Sequence, residues 1–270
     1  MDFQIKEGVL YKYLGTDSNV TVPNGVTRIE TAAFCDCLDQ IKMVVIPQGV
    51  ENIAACLFAN CENLETIVLP DGIKSIGALA FENCTKLKEV TIPSSVARIG
   101  FRAFKGCKLL NKVIIPKGVK EIEEMTFDSC ESLKEVSIPS SVTTIGEAAF
   151  GECSSLHTIK LPTRLKELGE YAFIDSGLKS ITIPKHVEKI SALAFCRCKE
   201  LESVDLPEGI KRIEQAAFAH CKSLKSIKLP DSVRYIGMDA FNDSGIIDAQ
   251  IPPKAQIDVR AFEGTALAIN

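Results

Sequence analysis

A chain of 270 residues with 31 Lys and Arg against 35 Asp and Glu carries a net charge of −4, which leaves no electrostatic footprint for nucleic acid or an anionic membrane. No apolar run approaches the roughly 18 residues that a membrane-spanning helix needs, and residues 1–15 have neither a basic n-region nor an apolar h-region. A soluble chain with no membrane insertion and no nucleic-acid partner is therefore expected.

From the N-terminus, Phe3, Ile5, Val9, Tyr11 and Tyr13 alternate with other residues and are broken by Glu7-Gly8. That pattern predicts a β-hairpin, assigned to an N-terminal cap over residues 1–22 that covers the open face of the first coil. From residue 23 a pattern of about 23 residues recurs eleven times. Pro stands at 23, 47, 70, 93, 116, 139, 162, 184, 207, 230 and 252, and Phe at 34, 58, 81, 104, 127, 150, 173, 195, 218, 241 and 262. The period never breaks, so residues 23–270 are expected to form one repeat array, continuous with the cap. A unit this short cannot bury its own apolar residues. Neighbours must cover one another, which predicts a solenoid with an extended surface suited to gripping a partner.

The unit 87–108, LKEVTIPSSVARIGFRAFKGCK, shows how each turn is built. Leu87, Val90 and Ile92 mark a short strand that Pro93 ends by withholding a backbone donor. Pro followed by Ser-Ser, Asp-Gly, Lys-Gly or Glu-Gly has tight-turn chemistry. Val96 and Ile99 then begin a second inward-facing stretch, which runs into Gly100 and a short helical or irregular segment carrying Ala103 and Phe104. Ala precedes the Phe in nine of the eleven repeats, as expected if a ring and a methyl group pack where coils meet and nothing larger fits.

The unit, with its siblings LKEVSIPSSVTTIGEAAFGEC and LESVDLPEGIKRIEQAAFAHC, resembles the BspA-like bacterial leucine-rich repeat over about residues 20 to 267. That resemblance implies a leucine-rich repeat solenoid: a right-handed, curved coil of eleven repeats with a parallel β-sheet and short helical or irregular segments on the other face. It also implies a family often found on bacterial surfaces as adhesins. A cell-surface or secreted location follows by the same resemblance, although the chain shows no export signal; a cytoplasmic location is the alternative.

Cysteine is placed in columns too. Cys37, Cys61, Cys84, Cys107, Cys130, Cys153, Cys198 and Cys221 each lie three residues after a repeat Phe, so they should form a ladder of small buried plugs. Strand spacing of about 4.8 Å suits disulfide bonding poorly, since that wants Cβ atoms about 3.8 Å apart. Ser176 and Ser244 replace Cys in two loops that are one residue shorter. Cys35, Cys56 and Cys196 lie off the ladder and are the candidate reactive thiols. The pairs Cys35/Cys37 and Cys196/Cys198 have CxC spacing, which lacks the paired spacing of zinc modules, so no metal and no cofactor is expected.

His157, His186 and His220 occupy three different repeat columns and should not converge. There is no P-loop, no GxGxxG after a strand and no HExxH, so the reading is non-catalytic. Asn19, Asn83 and Asn242 head Asn-x-Ser/Thr sequons that carry no information without the source. Strand neighbours alternate between faces, so residues two and four before each Pro should point outward. In those columns Met43, Val45, Val68 and Ile114 form an apolar strip towards the N-terminal end, the candidate partner-binding site. Lys160, Asp205 and Lys228 further along read as solvated surface.

At the far end Leu267 stands where a twelfth strand would begin, and the last coil is expected to be under-capped. Either the final strand is enough, or self-association end to end at this coil, or a longer array of which this is a fragment, would cover it. The leading expectation is a non-catalytic scaffold that binds a protein or glycan ligand on the sheet face. The alternative is an intracellular thiol sensor or metal-binding module built on Cys35, Cys56 and Cys196.

Overall fold

The computed structural model describes residues 2–35 and 39–267. It is a parallel β-solenoid of about eleven turns, each crossing two ladders of short strands before returning through a run of turns. Cys37, the first rung of the expected cysteine column, lies outside the described residues.

The chain enters through β1 (Phe3–Lys6) and β2 (Val9–Tyr13), an antiparallel hairpin turned at Glu7-Gly8. Then β2 pairs in parallel with β4 (Arg28–Ile29), Leu10 opposite Ile29. Tyr13 accordingly takes the place that a Phe holds in later coils: its N–H bonds the Ala33 carbonyl at 2.7 Å and its ring lies 5.9 Å from that of Phe34. Strand β3 (Asn19–Thr21) falls within the span assigned to the cap but is already the first strand of the first parallel ladder, pairing with β5 (Met43–Val45).

That first ladder is made of the three residues ending two before each Pro. Their middle side chain points inward, as in Val20, Val44, Ile67 and Val113, all buried. The repeat Pro then accepts a turn bond from the residue three further on, as from Val96 to Pro93 at 3.0 Å and from Leu165 to Pro162 at 2.9 Å. Proline thus occupies the first position of the turn, where a missing donor is no loss. The second ladder is only two residues wide per coil, with Ile53, Ile76, Ile99 and Ile122 buried on it.

Of the helical or irregular segments expected around the Phe, the irregular alternative is what forms: no helix occurs among the described residues. The reason is a backbone alternation. Two before and two after each repeat Phe from Phe58 on the chain adopts positive φ, as at Cys56 (57°) and Asn60 (62°), Leu79 (57°) and Asn83 (57°), or Leu193 (55°) and Arg197 (59°). Around Phe58 the N–H groups of Cys56, Phe58 and Asn60 donate to Ala78, Ala80 and Glu82 of the next coil, while those of Leu57, Ala59 and Cys61 close turns three residues back. Every second donor is spent between coils, so no helical ladder can propagate. The inter-coil bonds also hold a left-handed conformation that non-glycine residues otherwise avoid.

The Phe rings form one column through the molecule. Neighbouring rings from Phe34 to Phe262 stack with centroids 4.9 to 5.6 Å apart, and each ring is essentially inaccessible to solvent. Each coil buries its ring only because the coils on either side cover it.

Both ladders have gaps. In the first, the residues 158–160 pair with neither Glu135–Ser137 before them nor Ser180–Thr182 after them, and pairing lapses again between Ser203–Asp205 and Ser226–Lys228. In the second, pairing lapses between 28–29 and 52–53, between 98–99 and 121–122, and between 167–168 and 189–190. Gly77, Gly100, Gly146, Gly169 and Gly237 follow second-ladder strands and keep an N–H bond to the preceding coil. A Cβ at Gly77 or Gly146 would come within 2.6 or 2.7 Å of that coil's backbone. At the three gaps this position is Ala54, Glu123 and Ser191, and among the described residues none has that backbone bond. Replacements bridge two of them: the Glu123 carboxylate accepts the Phe101 N–H at 2.8 Å, and the Ser191 hydroxyl donates to the Leu168 carbonyl at 2.5 Å. Glu30, Glu214 and Asp258 keep the backbone bond, so a side chain here is necessary for a gap but not sufficient.

Candidate partner-binding face

The outward columns of the first ladder gather the apolar residues that the sequence singled out. Val45 stands directly opposite Val68 across the parallel pairing, and Met43 opposite Thr66. Val68 is 43% and Ile114 59% exposed, whereas Met43 and Val45 are half-buried. Thr91, in the coil between, separates Ile114 from Val68, so the strip is a Val45–Val68 pair plus an outlying Ile114. Beside it run charges: Lys112 bonds Glu135 of the next coil at 2.8 Å.

Grooves form where the ladders open. One, about 750 Å³, lies between 158–164 and 180–186 and includes Lys160, Arg164, Lys185 and His186 in its walls. A second, about 510 Å³, shares Thr158, Ile159 and Lys160 with it and reaches back to Ile114. Sequence reasoning took Lys160 for plain solvated surface and did not single out Arg164 or Lys185. The shorter Asp175-Ser176-Gly177 loop was the nearest signal, but its twin at Asp243-Ser244-Gly245 leaves 226–228 and 248–250 paired. Loop length alone therefore does not open a ladder.

The cysteine column is buried and more than a set of plugs. Each thiol from Cys84 onward is aimed at the carbonyl of the previous coil's Phe: Cys84 to Phe58 at 3.2 Å, Cys107 to Phe81 at 3.2 Å, Cys130 to Phe104 at 3.2 Å and Cys153 to Phe127 at 3.3 Å. Cys198 and Cys221 do the same with Phe173 and Phe195 at 3.1 Å. Burial, reinforced by the neighbouring cysteine, pushes the Cys84, Cys107, Cys130 and Cys153 thiols well above their ordinary value. Burial likewise drives Cys198 up to about 12. Ser176 lies 3.3 Å from the Cys198 sulfur, whereas Ser244 leaves its buried hydroxyl without a partner.

The off-column thiols do not come together. Cys35 and Cys56 are exposed, Cys56 at a positive-φ position, while Cys196 is buried and its thiol is raised by that burial. Among the described residues no three His, Cys, Asp or Glu side chains are placed to hold a metal ion. The histidines stay apart: His157 faces the Gly177 carbonyl at 3.0 Å, His220 lies 3.5 Å from Asp243, and His186 sits in the turn after Pro184.

Six copies of the BspA type leucine rich repeat region match residues 4–133, 76–202 and 156–268, which together take in nearly the whole chain. The chain belongs to the BspA-type leucine-rich repeat family. Among solved structures it is similar to a leucine rich cell surface protein of Faecalibacterium prausnitzii A2-165, at 26% identity over 96% of this chain and 89% of that one, TM-score 0.61. A leucine-rich repeat protein of Bacteroides ovatus ATCC 8483 shares 26% identity over 98% and 92% of the two chains, TM-score 0.56. One from Eubacterium ventriosum ATCC 27560 shares the fold at 20% identity over 97% and 92%, TM-score 0.54. No curated protein matches the chain significantly. As a BspA-type array it is a repeat scaffold of the kind that presents a surface to partners, and among the described residues no helix is long and apolar enough to cross a membrane.

Proposed function

We propose that this BspA-type array is a non-catalytic scaffold that captures a protein or glycan partner on the face of its first ladder, and that it works at the cell surface or after secretion. One observation carries the reading: Val68 and Ile114 stand more than two-fifths exposed on strands whose other side is locked into the buried core. Apolar side chains fixed on a rigid frame lose little entropy when a partner covers them, which is what makes such a surface effective. The cell-surface description of the Faecalibacterium prausnitzii relative supports the location.

Capture from extracts of the native source tests this. Val68→Asp with Ile114→Asp should leave the fold intact and abolish retention of the partner seen with the wild type. Undiminished retention by the double variant would remove the site.

A thiol-sensor reading keeps one favourable observation, the exposure of Cys35 and Cys56. Cys196, buried and with a raised thiol, takes no part in it.

A further inference from the structure

The groove at the 158–160 gap in the first ladder differs in charge from the molecule around it. Its lining contains Lys160, Arg164 and Lys185, with His186 at one end, and no carboxylate. Among the described residues none of these three cations has a carboxylate within ion-pairing distance; some Lys and Arg elsewhere are paired between coils, as in Lys74–Glu51, Lys105–Asp128 and Lys211–Glu188, while others, such as Lys120, Lys166 and Lys228, are not. Glu208, in the turn of the next coil beside Lys185, makes no ion pair with it, and two other acids on the face are engaged or set apart. Glu135, the one carboxylate of the adjoining groove, is held by Lys112, and Asp205 lies a coil further on, opposite Thr182. In a chain of net charge −4, a cluster of unpaired cations is a local reversal of sign.

The backbone is open at the same place. At some junctions of this face a bond crosses from the residue before Pro to the next coil, as from Ile115 to Ser137 at 3.0 Å and from Ile183 to Asp205 at 2.9 Å; at others, such as Leu69 to Thr91, Ile92 to Ile114 and Leu206 to Lys228, it is missing among the described residues. Among the described residues no such bond runs from Ile138 to Lys160 or from Leu161 to Thr182. The walls therefore present strand-like N–H and C=O groups that the ladder does not use, over a half-buried Ile159. At about 750 Å³ the groove is in the size range of ligand sites, about 300–1,000 Å³.

We propose that this groove takes an extended acidic segment of a partner protein, its carboxylates paired with Lys160, Arg164 and Lys185 and its backbone laid along the unpaired strand edges. Charge selects the partner and the open ladder selects its conformation. The proposal rests on the first-ladder face being the capture surface and names the chemistry of what it captures.

The test is fluorescence anisotropy of the full chain with a dye-labelled peptide of alternating glutamate and valine, and with its lysine counterpart. The acidic peptide should bind with an affinity that falls as salt rises, and the lysine peptide should not bind. Lys160→Glu with Lys185→Glu should weaken binding roughly tenfold or more, the neutral pair Lys160→Gln with Lys185→Gln less, and Lys228→Glu, outside the groove, not at all. Failure of the acidic peptide to bind, equal binding of the lysine peptide, or indifference to charge reversal would overturn the proposal. So would a sulfated heparin fragment bound by these residues in place of the peptide. If no peptide binds while Val68→Asp with Ile114→Asp still abolishes partner capture, the groove fails and the scaffold stands.

Discussion

At the scale of single residues, the ring column and the thiol column make opposite demands on the environment. Each Phe contributes because it is dry on both sides, so Phe127→Ala, in mid-array, should cost about 3 to 5 kcal/mol by opening a cavity between two stacked neighbours. Urea denaturation measures it, and a neutral effect would mean that the ring is not part of the core. The thiols make stability depend on pH. A buried thiol with its pKa raised above the ordinary value of 9.0 stays protonated in the folded chain while the unfolded chain loses its proton. Stability is then fully present below the unfolded value and falls as pH rises through it, by up to about 1.4 kcal/mol per pH unit for each such thiol. Unfolding free energy under reducing conditions should therefore drop between roughly pH 8.5 and 10, and Cys130→Ala should make the slope shallower by about one proton. A flat profile would contradict the burial of the column. Accessibility divides the thiols in the same way. Brief alkylation of the native chain, mapped by mass spectrometry, should label Cys56 and spare Cys84, Cys107, Cys130 and Cys153.

At the scale of the repeat, the pieces that came through in the sequence are those set by side-chain chemistry at fixed spacing. Val96 and Ile99 as inward residues, and Phe104 and Cys107 as core columns, follow from period and residue type; the strand expected before Pro93 is reduced to an isolated bridge at Glu89. The turns around each Phe were hidden because their positive-φ positions carry Cys56, Asn60, Leu79 or Arg197 instead of glycine. What holds those residues left-handed is a carbonyl on the next coil, a partner about 22 residues away that no local window contains. The ladder gaps were hidden for a similar reason. The position after the second strand looks like ordinary variation until the preceding coil's backbone is found within 3 Å of any added Cβ. Gly146→Ala should accordingly cost about 1 to 3 kcal/mol by forcing the 122–124 and 144–146 segments apart. Amide exchange of Gly146, bonded to Ile122 at 2.8 Å, would report the opening.

At the scale of the whole molecule, function arises from stacking. Coils that touch only their neighbours give a long frame whose surface is varied one residue per turn, without disturbing the core. Along the first ladder that freedom yields an apolar pair and an outlier, Val45, Val68 and Ile114, then an opened ladder rimmed by Lys160, Arg164 and Lys185. The apolar strip was legible because outward strand positions can be counted back from each Pro. The cationic groove was not, since it exists only where two coils fail to pair.

On the proposed reading the first-ladder face, and not the second ladder, meets the partner. Photo-crosslinking tests it most directly: a benzophenone side chain is placed at Val68 in one variant and at Glu167, exposed on the second ladder, in another. A discrete crosslinked partner is expected from position 68 and none from position 167. The same adduct from 167 alone, or from neither position while the partner is still retained, would contradict that reading.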